Sequence, residues 1–405
     1  MSVIEAIAHS ALLPLRKRNF RLFFVGQSLS LLGTWVHTTA QRWLLFELTN
    51  SAISLGVLGA IGSLPILLFS LPAGYLADRL PKRKLLLLAQ TIAASQAFIL
   101  GMLVLEHVVK PWHIFALAFV LGTSVALEFP VRHSFIYELV GKEPLIAALS
   151  LHSTAFNLAR FSGPALAGFL MGTFGIATCF FFNAFSYVPL LCILASMNIN
   201  QGTTSAKRPW EGIQEVFTFV KDNPSIKATL LLIATTSVFL LPYAILLPVL
   251  ARKVYGVGAQ GFSFLMAING LGALCGALFM ASVGQRLPRR KSILAHLLAL
   301  SFFLGLTALT HRFSVASIGL LAAGFHMVCT FTFANAHLQI NSSDELRGRV
   351  LSLFSLSFLG LFPFGSLLSG FLAQHFGVQT TLLIGSSIGI LMVTVLFIRG
   401  FGRRF

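Results

Sequence analysis

Long apolar runs, each of roughly 18 residues or more, recur from one end of this 405-residue chain to the other. A run of this length crosses the hydrocarbon core of a bilayer as one helix of about 20 residues. The chain is 56% hydrophobic and only 10% charged, which excludes both an ordinary soluble domain and a disordered chain. The runs do not alternate polar and apolar residues, as barrel strands would. The sequence therefore predicts an all-α membrane protein.

The length of the chain suits twelve membrane-spanning helices in two pseudo-symmetric six-helix bundles. We expect an N-terminal tail (1–19), a first bundle (20–197), a cytoplasmic linker with a short amphipathic helix (198–225), a second bundle (226–398) and a C-terminal tail (399–405). The helix in the linker is predicted from apolar residues at helical spacing between Trp210 and Asp222, and it would lie on the membrane surface.

Lysine and arginine concentrate in alternate loops, for example at residues 79–84 and 286–291. Loops rich in positive charge stay in the cytoplasm, so both termini are predicted to be cytoplasmic, which requires an even number of spans. This distribution also explains the net charge of +17, and we expect the partner to be the lipid bilayer and not nucleic acid.

Two internal repeats relate the two halves of the chain. Residues 78–84 (DRLPKRK) recur as residues 285–291 (QRLPRRK), and residues 163–175 (GPALAGFLMGTFG) recur as residues 365–377 (GSLLSGFLAQHFG). The two repeats have nearly the same separation, which indicates a duplicated six-helix unit.

The loop after the second span resembles the signature of the major facilitator superfamily, with Gly74, Asp78, Arg79, Lys82 and Arg83 at the matching positions. The resemblance implies secondary transport by alternating access of two halves. It also implies a cytoplasmic latch, in which the carboxylate of Asp78 lies near the start of span eleven and pairs with Arg347 or Arg349. The alternative is a solvated loop anchored by its positive charge alone.

Finer features resemble the bacterial exporter branch that includes enterobactin-type siderophore exporters. They are residues 128–132 (EFPVR), 157–164 (NLARFSGP) and 344–349 (DELRGR), with the Trp210 helix ending at Asn223-Pro224. Span five also resembles a degenerate antiporter motif of drug–proton exchangers. We expect small residues there and in span eleven to allow close helix packing, either for that motif or as ordinary packing, namely Gly163, Pro164, Gly168, Gly365 and Gly370.

Ionisable residues inside a span are costly and mark candidate sites. Glu128 is the one acidic residue placed deep in a predicted span, and Arg160 lies at comparable depth in the next span. Glu128 either exchanges a proton during transport or forms a fixed structural pair with Arg132 or Arg160, and a Glu128–Arg160 contact is the best single expectation. Arg42 and His37 are predicted to line the same central cavity, although a lone histidine in a span is more often packed.

These residues favour proton-coupled export of a small amphipathic or siderophore-like molecule. The alternatives are a lysolipid or lipid flippase and an uptake carrier on the same scaffold. We expect no enzyme activity, no cofactor and no metal site, because no catalytic motif or ligand spacing is found. The expected partners are a small-molecule substrate, protons and lipid, and the protein is predicted to act as a monomer in the bacterial inner membrane.

Overall fold

The computed structural model describes residues 12–197, 213–343 and 345–401, and the side chains of Asp78, Gln285 and a few further positions lie outside that description. Every regular element in these ranges is a helix. The predicted all-α class is therefore confirmed. The predicted features at Trp210, at Asp344 and in the last tail residues fall outside the described ranges.

Twelve long helical segments follow one another in the described part of the chain, six on each side of the linker. The first six are α1 (Arg18–Thr49), α2 (Ala52–Arg79), α3 (Lys82–Leu105), α4 (Pro111–Val140), α5 (Leu145–Thr173) and α6 (Ile176–Ser196). The second six are α7 (Pro224–Val254), α8 (Ala259–Ser282), α9 (Arg289–Leu309), α10 (Phe313–Ile340), α11 (Arg347–Phe376) and α12 (Val378–Ile398). A short linker helix (Ile213–Asp222) precedes α7.

Ten of these segments are long and apolar enough to cross a membrane. The other two, α1 and α5, are equally long but carry more polar residues. These polar residues include Gln27, His37 and Arg42 in α1, and Asn157 and Arg160 in α5. Since helices inside a bundle can hide polar groups from lipid, we interpret α1 and α5 as spans too.

Two helices of the second half contain π-helical turns. In α7 these turns are Thr236–Leu240 and Leu250–Val254, and in α11 the turn is Leu356–Gly360. Prolines stand close to all three, at positions 242, 248 and 363. Proline has no N–H to donate, so the regular hydrogen-bond ladder is interrupted there.

The second internal repeat ends in a shared backbone conformation. Gly175 precedes α6 with φ 86° and ψ 164°, and Gly377 precedes α12 with φ 85° and ψ 152°. An L-residue rarely adopts such a positive φ, whereas glycine does so at no steric cost. The repeated glycine in the two halves thus makes the same turn.

The chain separates into two compact units, Met1–Gln41 with Leu64–Pro209 and Arg42–Ser63 with Trp210–Phe405. The second unit therefore contains the end of α1 and the start of α2, which the sequence analysis assigned to the first bundle. Within the second unit, the Ala52 N–H donates to Gln374 Oε1 at 2.9 Å, and a Cβ on Gly56 would lie 2.9 Å from the Cα of Gly370. Glycine at both positions lets the two backbones touch.

Inside the first unit, aromatic and aliphatic side chains form a core between the ends of α1, α3, α4 and α6. Phe23 packs edge-on against Phe135 with ring centroids 5.3 Å apart, and Leu86 and Leu190 are fully buried beside them. On another side of α1, the backbone of α5 approaches so closely at Gly163 that a Cβ there would overlap Trp35.

We expect Gly163→Ala to lower the thermal unfolding temperature of the detergent-solubilised protein, because the added Cβ collides with Trp35. Gly62→Ala in α2 is the matched control, since a Cβ at Gly62 meets no described atom within 4 Å. Alanine in a helix is otherwise favoured over glycine by about 0.8–1.0 kcal/mol, so the control should be neutral or stabilising. Equal shifts in the two variants would contradict the close approach at Gly163.

Candidate functional site

Glu128 lies at the centre of a small polar cluster in the first unit. Its Oε1 accepts a hydrogen bond from Arg132 Nη1 at 2.8 Å and another from Gln27 Nε2 of α1 at 3.1 Å. The side chains of Glu128 and Arg132 are only 13% and 12% exposed, and Gln27 is buried. Both donors therefore converge on Oε1.

The local sequence of α4 explains this pairing. Residues four apart lie on the same face of a helix, so Glu128 and Arg132 meet without any change in the backbone. Pro130 stands in the turn between them and removes one backbone hydrogen bond of α4. Glu128 is about 18 Å along the helix axis from the end of α4 at Val140, well inside the span.

The structure does not form the expected Glu128–Arg160 pair, because the hydrogen bonds of the Glu128 carboxylate go to Arg132 and Gln27. The Arg160 guanidinium instead lies over the ring of Trp35, 5.9 Å from its centroid. Trp35 projects from the side of α1 that packs on α5, about 100° around the helix from Thr34. The fixed pair with Arg132, the alternative left open by the sequence, is the one present.

His37 is fully buried and packs edge-on against Phe180 of α6, with ring centroids 5.0 Å apart. It therefore does not line an open cavity in this structure, in contrast to the expectation from the sequence. Arg42 belongs to the second unit, where its Nη1 donates to the carbonyl of Ala244 at 3.4 Å and lies 3.8 Å from Met266 Sδ.

The basic residues of the signature bind groups of their own unit. Lys82 pairs with Glu138 at 2.5 Å, which joins the start of α3 to the end of α4. Arg83 donates from Nε to the carbonyl of Leu194 at 2.6 Å and from Nη2 to that of Ala195 at 2.7 Å. The last carbonyls of α6 have no partner within their helix, so Arg83 caps it.

The rest of the signature is less constrained. The Arg79 guanidinium lies 4.3 Å from the ring centroid of Tyr75, and a Cβ on Gly74 would meet no described atom within 4 Å. The side chain of Asp78 lies outside the described residues, so its latch with Arg347 or Arg349 stays a prediction. Arg347 Nε donates to the carbonyl of Gln339 at 3.0 Å.

The small residues predicted for close packing lie at helix contacts. Pro164 and Gly168 of α5 are buried, as are Gly365 and Gly370 of α11. A Cβ on Gly365 would come within 2.6 Å of the carbonyl oxygen of Val238 in the π-helical turn of α7. The small residues of α11 therefore allow α7 to approach closely at its π-helical turn.

Sequence reasoning missed three residues of the Glu128 neighbourhood, namely Gln27, Thr34 and Tyr187. Thr34 Oγ1 and the Tyr187 hydroxyl are 3.0 Å apart, and Tyr187 also interacts electrostatically with Glu128. A signal was present in α1, where polar residues at positions 27, 30, 34, 37 and 41 follow helical spacing. That spacing would have predicted one polar face.

Polar residues of the second unit are mostly engaged with protein groups. Asn269 Nδ2 donates to the hydroxyl of Tyr243 at 2.7 Å, and the Nδ1 atoms of His296 and His326 are 2.8 Å apart. Among the residues that the structure describes, no group of three or more histidine, cysteine, aspartate or glutamate side chains could hold a metal ion.

Known proteins of similar sequence are transporters. The chain is 28% identical over 386 residues to the Staphyloferrin A transporter of Staphylococcus aureus, covering 93% of this chain and 95% of that protein. It is 23% identical to the multidrug efflux pump Tap of Mycolicibacterium fortuitum, over 87% of this chain and 88% of Tap. It is 22% identical to macrolide efflux protein A of Streptococcus pyogenes, over 94% and 95% of the two chains.

Solved structures of similar fold are also transporters. The nucleoside transporter NupG matches with a TM-score of 0.74 at 12% identity, covering 96% of this chain and 100% of NupG. A bacterial homologue of the human lysosomal transporter Spinster, in an inward-facing and unoccupied conformation, matches with a TM-score of 0.72 at 15% identity, over 95% of both chains. At these identities the likeness shows the fold alone.

The family model described as transmembrane secretion effector matches residues 9–401. This match covers nearly the whole chain, and it agrees with the signature at residues 74–83 and with the twelve helical segments. The protein is therefore a multi-pass membrane protein and not an enzyme. It belongs to the transmembrane secretion effector family of major facilitator superfamily transporters.

Proposed function

We propose that the protein exports a small amphipathic or siderophore-like molecule in exchange for protons, by alternating access of its two halves. The observation that carries the proposal is Glu128, a carboxylate nearly buried inside a membrane-spanning helix. A carboxylate at such a depth is costly, and in transport proteins it commonly marks a proton or substrate pathway.

The geometry around Glu128 suits reversible proton binding. Arg132 and Gln27 both hold Oε1, so Oε2 can take up a proton without breaking either hydrogen bond. Protonation removes the negative charge that balances Arg132 and so changes the electrostatic free energy of the cluster. Other titratable groups act on the same cluster, since Tyr187 interacts with Glu128 and His152 with Arg132. A proton thereby biases the equilibrium between two conformations.

The proposed class of cargo is supported by the names of the relatives and by the charges of the candidate site residues. One relative is named for the siderophore staphyloferrin A, and two others are named for drug or macrolide efflux. The cationic side chains Arg132, Arg160 and Arg42 outnumber Glu128 among the candidate site residues, which suits an anionic cargo. We place the protein in the bacterial inner membrane as a single working chain, with both termini cytoplasmic on the basis of its loop charges.

Export by proton exchange is tested with inverted membrane vesicles and three probes, radiolabelled staphyloferrin A, a radiolabelled macrolide and ethidium. We expect at least one probe to accumulate in vesicles that contain the protein, only with an inward-acid proton gradient, and to leak out when a protonophore is added. Accumulation without a gradient, as for a lipid flippase, or movement in the opposite direction, as for an uptake carrier, would contradict the proposal.

We expect Glu128→Gln to abolish gradient-driven accumulation, because the amide keeps the shape of the side chain but cannot exchange a proton. The amount and the unfolding temperature of the purified protein should be close to those of the wild type. Glu143→Gln, which changes an exposed loop carboxylate, is the matched control and should transport normally. Normal transport by Glu128→Gln would reduce Glu128 to a structural residue.

A double-mutant cycle measures how strongly Arg132 supports Glu128. Arg132→Gln leaves a nearly buried carboxylate without its cation, which costs about 3–5 kcal/mol of folding free energy for a buried pair. Combining it with Glu128→Gln should restore much of that stability, since the charge is gone. Additive effects in the unfolding of the two single variants and the double variant would show that the pair contributes no coupling energy.

A further inference from the structure

Arg160 lies near the middle of the membrane-spanning helix α5. The helix runs from Leu145 to Thr173, so about 20 Å of it extends on either side of Arg160. The Arg160 side chain is half-buried, and part of it is therefore in contact with a solvent. A charged group exposed to hydrocarbon at this depth is costly, and such residues face the protein interior or a water-filled cavity. The exposed part of Arg160 therefore faces water and not lipid.

Trp35 of α1 lies against Arg160 and against a second residue of α5. The guanidinium carbon of Arg160 is 5.9 Å from the centroid of the Trp35 ring, within the range of a cation–π contact. Phe156 meets the same indole edge-on, with ring centroids 5.8 Å apart. Because residues four apart lie on one face of a helix, one Trp35 ring spans both side chains of α5. The three side chains thus place a cation directly beside aromatic surface.

The aromatic surface is fixed in place but remains accessible. A Cβ on Gly163 would overlap the Cβ of Trp35, so α1 and α5 are in backbone contact next to this ring. Such close packing restricts the side-chain conformations of Trp35. Trp35 is nonetheless only half-buried, and Phe156 is 40% exposed. Rings that are already ordered lose little conformational freedom when a ligand binds, which favours affinity.

The sequence gives the middle of the first six spans a net positive charge. Glu128 is the acidic residue at mid-span, whereas the other acidic residues within α1–α6 lie within two residues of a helix end, at positions 47, 78 and 138. Glu128 forms an ion pair with Arg132. Arg132 and Arg160 together therefore carry one positive charge more than Glu128 balances, and an anion is attracted to that charge.

We propose that Arg160, Trp35 and Phe156 form a binding subsite for a carboxylate attached to an aromatic or other flat apolar group. The guanidinium presents its N–H donors in one plane, which matches the two oxygens of a carboxylate. The apolar part of the ligand packs on the accessible surface of the two rings. This inference rests on the proposed export of a small amphipathic molecule, and it names the chemical class that the first unit recognises.

The subsite is tested with indole-3-acetate and its neutral amide, indole-3-acetamide, which differ in charge but hardly in shape. Binding of each probe to the full-length protein in lipid nanodiscs at pH 7 is measured by saturation-transfer NMR, after subtraction of the signal from empty nanodiscs. The wild type should bind the acid at least about tenfold more tightly than the amide, which corresponds to about 1.4 kcal/mol. Equal affinities, or no binding of the acid, would overturn the proposal.

Variants assign this preference to the subsite. Arg160→Gln should lower the affinity for the acid at least about tenfold and leave that for the amide unchanged, whereas a purely structural role would lower both equally. Trp35→Leu should weaken both probes, because it removes ring surface and keeps the cation. Arg312→Gln, which removes an exposed arginine of the second unit, is the control and should change neither affinity.

A conservative variant keeps the test decisive if Arg160→Gln fails to fold. Arg160→Lys retains the positive charge but not the planar set of donors, so the preference for the acid should decrease without being lost. A preference that is unchanged in Arg160→Lys or in a folded Arg160→Gln protein would show that another group binds the carboxylate.

Binding in the absence of a gradient separates the subsite from proton exchange. Glu128→Gln should still prefer the acid over the amide, although we expect it to lose gradient-driven transport. If the preference depends on Arg160 but no cargo accumulates under a proton gradient, the subsite stands and proton exchange is wrong. If gradient-driven accumulation occurs and the wild type shows no preference for the acid, the subsite is wrong and proton-coupled export stands.

Discussion

The hydrocarbon core of a membrane offers no hydrogen bonds, so every polar group that enters it must find its partner within the protein. This constraint accounts for the arrangement of the first unit. Glu128 is held by Arg132 and Gln27, Arg160 lies over Trp35, and the Tyr187 hydroxyl meets Thr34.

The first and fifth helices of each half depart from a plain apolar helix, but in different ways. In the first half, α1 and α5 carry polar side chains. In the second half, α7 and α11 stay apolar in sequence, but π-helical turns interrupt their backbones. Interrupted or polar helices at corresponding positions of two repeats are typical of transporters, which place their binding sites there. Equivalent helices of the two halves thus differ, since α1 and α5 carry polar side chains whereas α7 and α11 carry π-helical turns.

The sequence predicts the helices well, because long hydrophobic runs are a local property. It leaves Arg132 and Arg160 open as partners of Glu128 and prefers Arg160, whereas the structure has Arg132, because that choice depends on how the helices are rotated about their axes. The burial of His37 and the grouping of residues 42–63 with the second unit are also tertiary effects. In α1, the helical spacing of the polar residues indicates a polar face, which neither His37 nor Arg42 indicates on its own.

The contacts of Lys82 and Arg83 have a mechanical consequence. By joining the start of α3 to the ends of α4 and α6, they brace three helices that also meet through apolar side chains. Apolar contacts slide at little cost, whereas directed charge-assisted bonds resist sliding. In the proposed exchange cycle, a change in charge at Glu128 would move α4 together with α3 and α6, as one stiff assembly.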